Sequence, residues 1–240
     1  ASSLRFDANA GFGASSNAFD TQVGTVAGRT IDGAVFLQDS ADDLIIGSTQ
    51  ASSEVVAADS SITVNAVAPL SGIVTGGADA SIVVTQTTGS INSIAPVSAA
   101  GSGNILLDAA GALALNADVS SGSGNITLIG TSGVSLASSV TAQTAGTGTI
   151  DVSSLAGGLT MATDSSITAL DGDVVVETSA DVRVAGITTN ADVSLTSTAG
   201  SILDNQADRI NVSASSLRFD ANTGFGASSN AFDTQVGTVA

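Results

Sequence analysis

Residues 1–27 and residues 214–240 of this 240-residue chain are the same segment, ASSLRFDAN(A/T)GFGASSNAFDTQVGTVA, differing only at Ala10 against Thr223. The two copies are offset by 213 positions. Chance does not give such agreement, and near-identity at this distance is the mark of recent tandem duplication. The chain therefore reads as one long repeat, residues 1–213, followed by the start of the next copy, residues 214–240. The expectation is an array that continues in both directions. Any fold proposed for it must let one copy follow another.

A shorter rhythm runs inside the long one. SGNILLDAAGALAL (102–115) and SGNITLIGTSGVSL (123–136) repeat each other, and alternating apolar runs recur at Val35, Val55, Ile82, Ile105, Ile126, Ile150, Val174, Val193 and Ile210. The spacing is that of one coil of a solenoid. Each coil opens on a strand that alternates apolar and polar, as Ile126 and Leu128 or Val174 and Val176 do. A second strand follows (Val134 and Leu136, Leu159 and Met161, Val182 and Val184, Leu217 and Phe219). A third apolar position comes after it (Val119, Val140, Ile167, Ile187). Gly, Ser, Thr, Asp and Asn separate the runs, as turns require. Period-two alternation puts one face in and one face out, and no helical period is sustained.

The fold predicted is all-β: a right-handed parallel β-helix (β-solenoid) with three short strands per coil and about 21 residues per coil, forming a single continuous segment over 1–240. About ten coils per period would extend it roughly 48 Å. A β-sandwich has alternating strands but no reason to repeat at this interval. Asn104 and Asn125 fall at equivalent turns, where amides stack along the axis. The rhythm breaks after Ile210. The Phe-bearing segment there (Phe219, Phe225, Phe232, with Phe6, Phe12 and Phe19 in the earlier copy) predicts a widened coil or loop folded over one face and anchored by its rings.

Charge and composition remove most functional classes. The net charge is −17, from 22 acidic residues against five Arg and no Lys. Such a surface repels phosphate, so no nucleic-acid partner is expected. No run approaches the ~20 apolar residues of a membrane helix, and Ala1–Ala10 lacks the basic start and apolar run of a signal peptide. His, Cys, Tyr, Trp and Lys are absent. No catalytic residue is assigned and no enzyme activity is expected, because no His, Cys, Tyr or Lys is on offer as acid, base or nucleophile and the carboxylates are spread through turns.

The acidic pairs Asp42/Asp43 and Asp171/Asp173 are what remains for hydrolysis, which needs two carboxylates across a sugar, and Asp is an ordinary turn residue. LQDSADD (37–43) and LDGD (170–173) offer oxygens for weak calcium binding at most, since neither an EF-hand loop nor a calcium-binding roll is present. No cofactor and no metal site is assigned. GFGASS (11–16) lacks the Lys of a phosphate loop, SGSGN (121–125) is a coil turn, and the Thr147/Thr149 spacing does not recur at one coil position.

The coil GNITLIGTSGVSLASSVTA (124–142) resembles the repeats of filamentous haemagglutinin-like proteins. Residues 201–240 read on into 28–47 resemble a recurring unit of very large bacterial surface proteins of that class. The resemblance covers the whole chain, but its motifs are degenerate and speak to fold more than to function. It implies a right-handed parallel β-helix exported to the bacterial cell surface or beyond, a stem whose secretion and recognition parts lie outside this segment. The expected function is a structural or adhesive stem of a giant extracellular fibre serving cell-cell or cell-surface contact. The alternatives are a self-assembling extracellular filament, sheath or layer and, behind it, a carbohydrate-binding or carbohydrate-degrading β-helix. The expected partners are neighbouring repeats of the same chain, lateral copies of the rod, or another cell surface.

Overall fold

The alternation in the sequence becomes a set of ladders. In the computed structural model, which describes residues 1–206 and 209–240, the strands stack in parallel into three walls around a continuous apolar interior. The described residues contain no helix. One turn takes about 23 residues, and the chain makes about ten turns. The extra two residues over the 21 expected sit in the corners, whose lengths vary while strand register does not.

The first wall aligns Val35, Ile82, Ile105, Ile126, Ile150, Val174, Val193 and Leu217, each directly opposite the next. The second aligns Leu44, Ile91, Leu113, Val134, Leu159, Val182, Ile202 and Phe225. The third aligns Ile73, Val97, Val119, Ala142, Ile167, Ile187 and Val212. The aliphatic members of these ladders are buried. Branched side chains suit this stacking because they pack on a pleated surface in few rotamers. Each fully buried aliphatic side chain contributes about 1.5–3 kcal/mol.

Inward polar residues close the strands. Thr75, Ser121 and Thr189 are buried at the end of the third wall and donate to the carbonyls of Ala80, Gly103 and Gly172 at 2.7–2.8 Å. The turn is thus bonded from inside, which a buried corner demands.

Four sequence expectations are corrected here. Val55 does not open a coil: Val35 pairs directly with Ile82, so the residues between them form one turn carrying an insertion. Ile210 is exposed, and Leu217 takes the next first-wall position. Leu217 and Phe219 therefore belong to the first wall, not to a second strand. Ala142, not Val140, pairs with Val119. With one coil fewer between Val35 and Ile82, a period holds fewer than ten coils.

The insertion leaves the corner between Ile46 and Ile73. Its base pairs Ser48–Thr49 with Leu70–Ser71, and its tip pairs the arms Ser52–Val56 and Ile62–Ala66, both antiparallel. A tight turn at Ala57–Ser61, with Ser60 at φ 67°, joins the arms.

The Phe-bearing segment is not a loop laid over a face. Phe6, Phe12 and Phe19 come from successive stations and stack at ring-centroid distances of 4.1 and 4.4 Å, and Phe219, Phe225 and Phe232 do the same at 3.8 and 4.6 Å. Both stacks pack on the aliphatic core. Phe6 lies across from Gly28, where a Cβ would meet its ring at 2.2 Å, so the ring's place requires glycine.

This segment also hands the walls over. Ser216–Ala221 lies on the first wall, paired with Asp192–Ser197. Its counterpart Ser3–Ala8 pairs with Thr25–Thr30, which leads instead to Ile45–Ile46 of the second wall and Ile73–Thr75 of the third. Phe225 lies on the second wall, whereas Phe12 bridges Val35 of the first.

Candidate functional site

The acidic residues are spent on the corners. Asn104 Oδ1 accepts from the Asn125 backbone N–H at 2.8 Å, and Asn125 Oδ1 accepts from Thr149 N–H at 2.9 Å. Asp173 continues the pattern by accepting from Asp192 N–H at 3.1 Å. On other corners Asp43 accepts from Ser90 N–H, Asp118 from Thr141 N–H and Asp181 from Ser201 N–H, at 2.8–2.9 Å. Each side chain fixes the backbone one coil on, where a turn leaves an N–H unpaired. The Asn ladder expected from the sequence therefore bonds amide to backbone rather than amide to amide.

The sequence-derived acidic pairs do not converge. Asp43 is held by Ser90, while Asp171 takes Asn190 Nδ2 at 3.0 Å and Asp173 takes Asp192. Within LQDSADD, Asp39 is fully buried and ringed by donors. Its Oδ1 accepts from Thr21 Oγ1 (2.6 Å) and Val23 N–H (3.0 Å), and its Oδ2 from Ala41 N–H (2.9 Å) and Gln86 Nε2 (3.0 Å). Donors on all sides tie three coils together and are the reverse of what a cation seeks. Among the described residues, no three acidic side chains gather as metal ligands.

One carboxylate neighbourhood was not foreseen. Asp108 and Asp151 face outward on the first wall, and Glu177 lies one coil beyond Asp151. Burial pushes the Asp108 carboxyl up, and burial followed by the charge of Glu177 pushes Asp151 up. Glu177 lines a shallow depression with Ser153, Leu155, Thr178 and Thr196 on the open wall. Nothing encloses a sugar there, and neither a Trp nor a Tyr exists in the chain to stack on one. All five Arg bond an Asp: Arg5 and Arg29 share Asp7, and Arg183, Arg209 and Arg218 bond Asp181, Asp164 and Asp220. No protein-family profile, curated protein or solved structure matches the chain. Among the described residues, no helix is long and apolar enough to cross a membrane.

The feature that does stand out is the inserted hairpin. Residues opposite each other in an antiparallel pair share a face, so Val56, Ile62, Val64 and Ala66 lie together with Ser52 and Glu54, while Ser53, Val55, Thr63 and Asn65 lie on the other side. Val56, Ile62 and Val64 are 67%, 61% and 64% exposed. The signal for it was legible: SEVV and ITVN alternate on either side of AADSS, which is a hairpin pattern.

Proposed function

We propose that this chain is a stem segment of a long extracellular fibre, built to hold distance and to resist bending rather than to transform a substrate. The observation that carries the reading is the match between its ends. The last strands of the chain are near-copies of the first, and they already lie in the ladders of the same solenoid. A copy added to a copy therefore buries its open end, and each coil is coupled to the next without a crosslink. The adhesive role, the bacterial cell surface and the membership of the haemagglutinin-like class rest on the sequence resemblance and belong to the same proposal.

The stem reading is favoured over a sheath or layer by two facts. Away from the hairpin, exposed apolar side chains such as Leu155, Ile94 and Leu170 stand singly on three different corners and form no lateral stripe. The net charge of −17 makes neighbouring rods repel each other.

Appending residues 28–240 after Ala240 gives a chain of two full periods. Electron microscopy is expected to show single rods lengthened by about 40 Å relative to the parent, at ~4.8 Å per coil. Two compact particles on a string would refute the stem. Side-by-side bundles at physiological salt would favour the sheath or layer instead.

A further inference from the structure

The hairpin does not project at random. Its base leaves the corner at Ile46 and Ile73, one coil beyond Thr25–Thr30. Ser48–Thr49 and Leu70–Ser71 then lie back against Thr25–Thr30, and Ser48–Thr49 also reaches Ser3–Ala8. By Ala68 the hairpin has reached Arg5, whose Nε donates to the Ala68 carbonyl at 3.2 Å. Within a few residues it has thus run two coils back along the axis, toward the N-terminal end. Carried on in the same direction, the arms would bring their apolar face over the place where a preceding copy of the period would stand.

The other end of the chain shows that place. Ser216–Ala221 is the copy of Ser3–Ala8, so Arg218 is the counterpart of Arg5. Arg5 under the hairpin is 14% exposed, whereas Arg218, with no hairpin over it, is 57% exposed. Arg218 lines a shallow groove with Ser194 and Val175 on the outside of the first wall, continuing back along the axis. The arms are five residues each. At ~3.3 Å per residue they span about 17 Å, or three to four coils at ~4.8 Å. That length runs from Arg218 past Ser194 and Val175 to Asp151, three coils back.

We propose that this hairpin is a clasp between consecutive copies. The face formed by Val56, Ile62 and Val64 docks on the first wall of the copy before it, along the groove that holds Arg218, Ser194 and Val175. The occupant is a second copy of this sequence in the same fibre. The surface contacted is a continuation of the one the hairpin base already covers at Arg5. The clasp rests on the tandem-stem reading above, and it adds a contact outside the shared core.

The chain has no cysteine, so single thiols report one site at a time. In the two-period chain, Val64→Cys and, separately, Thr63→Cys are placed in the first or the second copy. The local sequence is identical in each pair, and only the second copy has a predecessor beneath it. Maleimide labelling of Val64→Cys is expected to be at least about tenfold slower in the second copy than in the first, a factor typical of closing a local site. Thr63→Cys on the opposite face labels fast in both. Without any substitution, hydrogen exchange of the peptide 50–68 is expected to split into two isotopic envelopes of equal area, one slow and one fast.

Equal labelling rates and a single envelope in a chain that forms one continuous rod would overturn the clasp and leave the stem intact. Two separate particles would overturn both. Slow labelling of Val64→Cys in the parent 240-residue chain that grows with concentration would mean hairpins of different molecules pair with each other, and the clasp would be wrong.

Discussion

Asp39 offers the sharpest test of how the first coils are joined. Its carboxylate is fully buried and accepts from four donors on three coils: Thr21, Val23, Ala41 and Gln86. Asp39→Ala leaves them without a partner. Two of the bonds, to Val23 N–H and Gln86 Nε2, are themselves buried. Each orphaned buried donor costs about 1–3 kcal/mol, and the two partly wetted ones about 0.5 kcal/mol each, so the loss comes to about 3–7 kcal/mol. Asp39→Asn keeps the volume and one acceptor oxygen but turns an NH2 toward two donors. A flip of the Gln86 amide relieves one of those clashes, so its cost is lower, about 1–3 kcal/mol. Urea denaturation followed by the far-ultraviolet β signal gives the order, and hydrogen exchange over residues 19–23 and 86–88 shows where protection is lost. An alanine variant within about 1 kcal/mol of the parent, or an asparagine variant worse than alanine, would refute the bonding scheme.

The inward and outward registers separate cleanly on adjacent residues: Val174→Asp buries an unpaired charge and is expected to cost several kcal/mol and abolish soluble rods, while Val175→Thr stays within about 0.5 kcal/mol, as thermal melts will show. Gly28→Ala drives a Cβ into the Phe6 ring and is expected to cost about 1–3 kcal/mol; in a double-mutant cycle Phe6→Ala should remove that cost, and additive effects would contradict the packing. Stability should rise on acidification from pH 7.5 to 4.5. The raised carboxyls of Asp108 and Asp151 contribute stability that is complete below the ordinary value of 3.8 and lost as pH climbs through their raised values. Asp7, lowered chiefly by its hydrogen bond from Arg29, acts the other way and loses its contribution only below that range. Melting temperatures that fall between pH 7.5 and 4.5, or a rise that survives Asp108→Asn with Asp151→Asn, would reverse the assignment.

The walls were legible because burial on one face leaves a period of two that composition cannot hide. Ile82, Ile105, Ile126, Ile150, Val174 and Val193 were all aligned from sequence, and each pairs as expected. Val55 misled because it alternates with its neighbours just as a wall strand does. A two-stranded hairpin and a coil share that local pattern, and only the long-range partner tells them apart. Ile210 misled for a different reason: a lone apolar residue in a polar corner imitates the start of a strand. The Phe rings gave away their position in the sequence but not their direction, since a stack in the lumen and a plug on the surface use the same residues. The corner work of Asp43, Asp118, Asp173 and Asp181 was hidden because it depends on which N–H lies one coil away.

The wall hand-over sets the phase of everything that decorates the rod. From Val35 to Leu217 the chain winds seven times. From Leu217 it passes Phe225 on the second wall, and because the counterpart Phe12 lies against Val35, the next copy's first wall rises over what had been the second. One period is thus eight and a third windings, advancing about 40 Å at ~4.8 Å each. Successive copies are turned by about a third of a turn, and the true axial repeat is three periods, about 120 Å. Hairpins step in order round the three sides of the shaft. A fibre decorated in this way has no front or back, and load on its flanks evens out over every three copies.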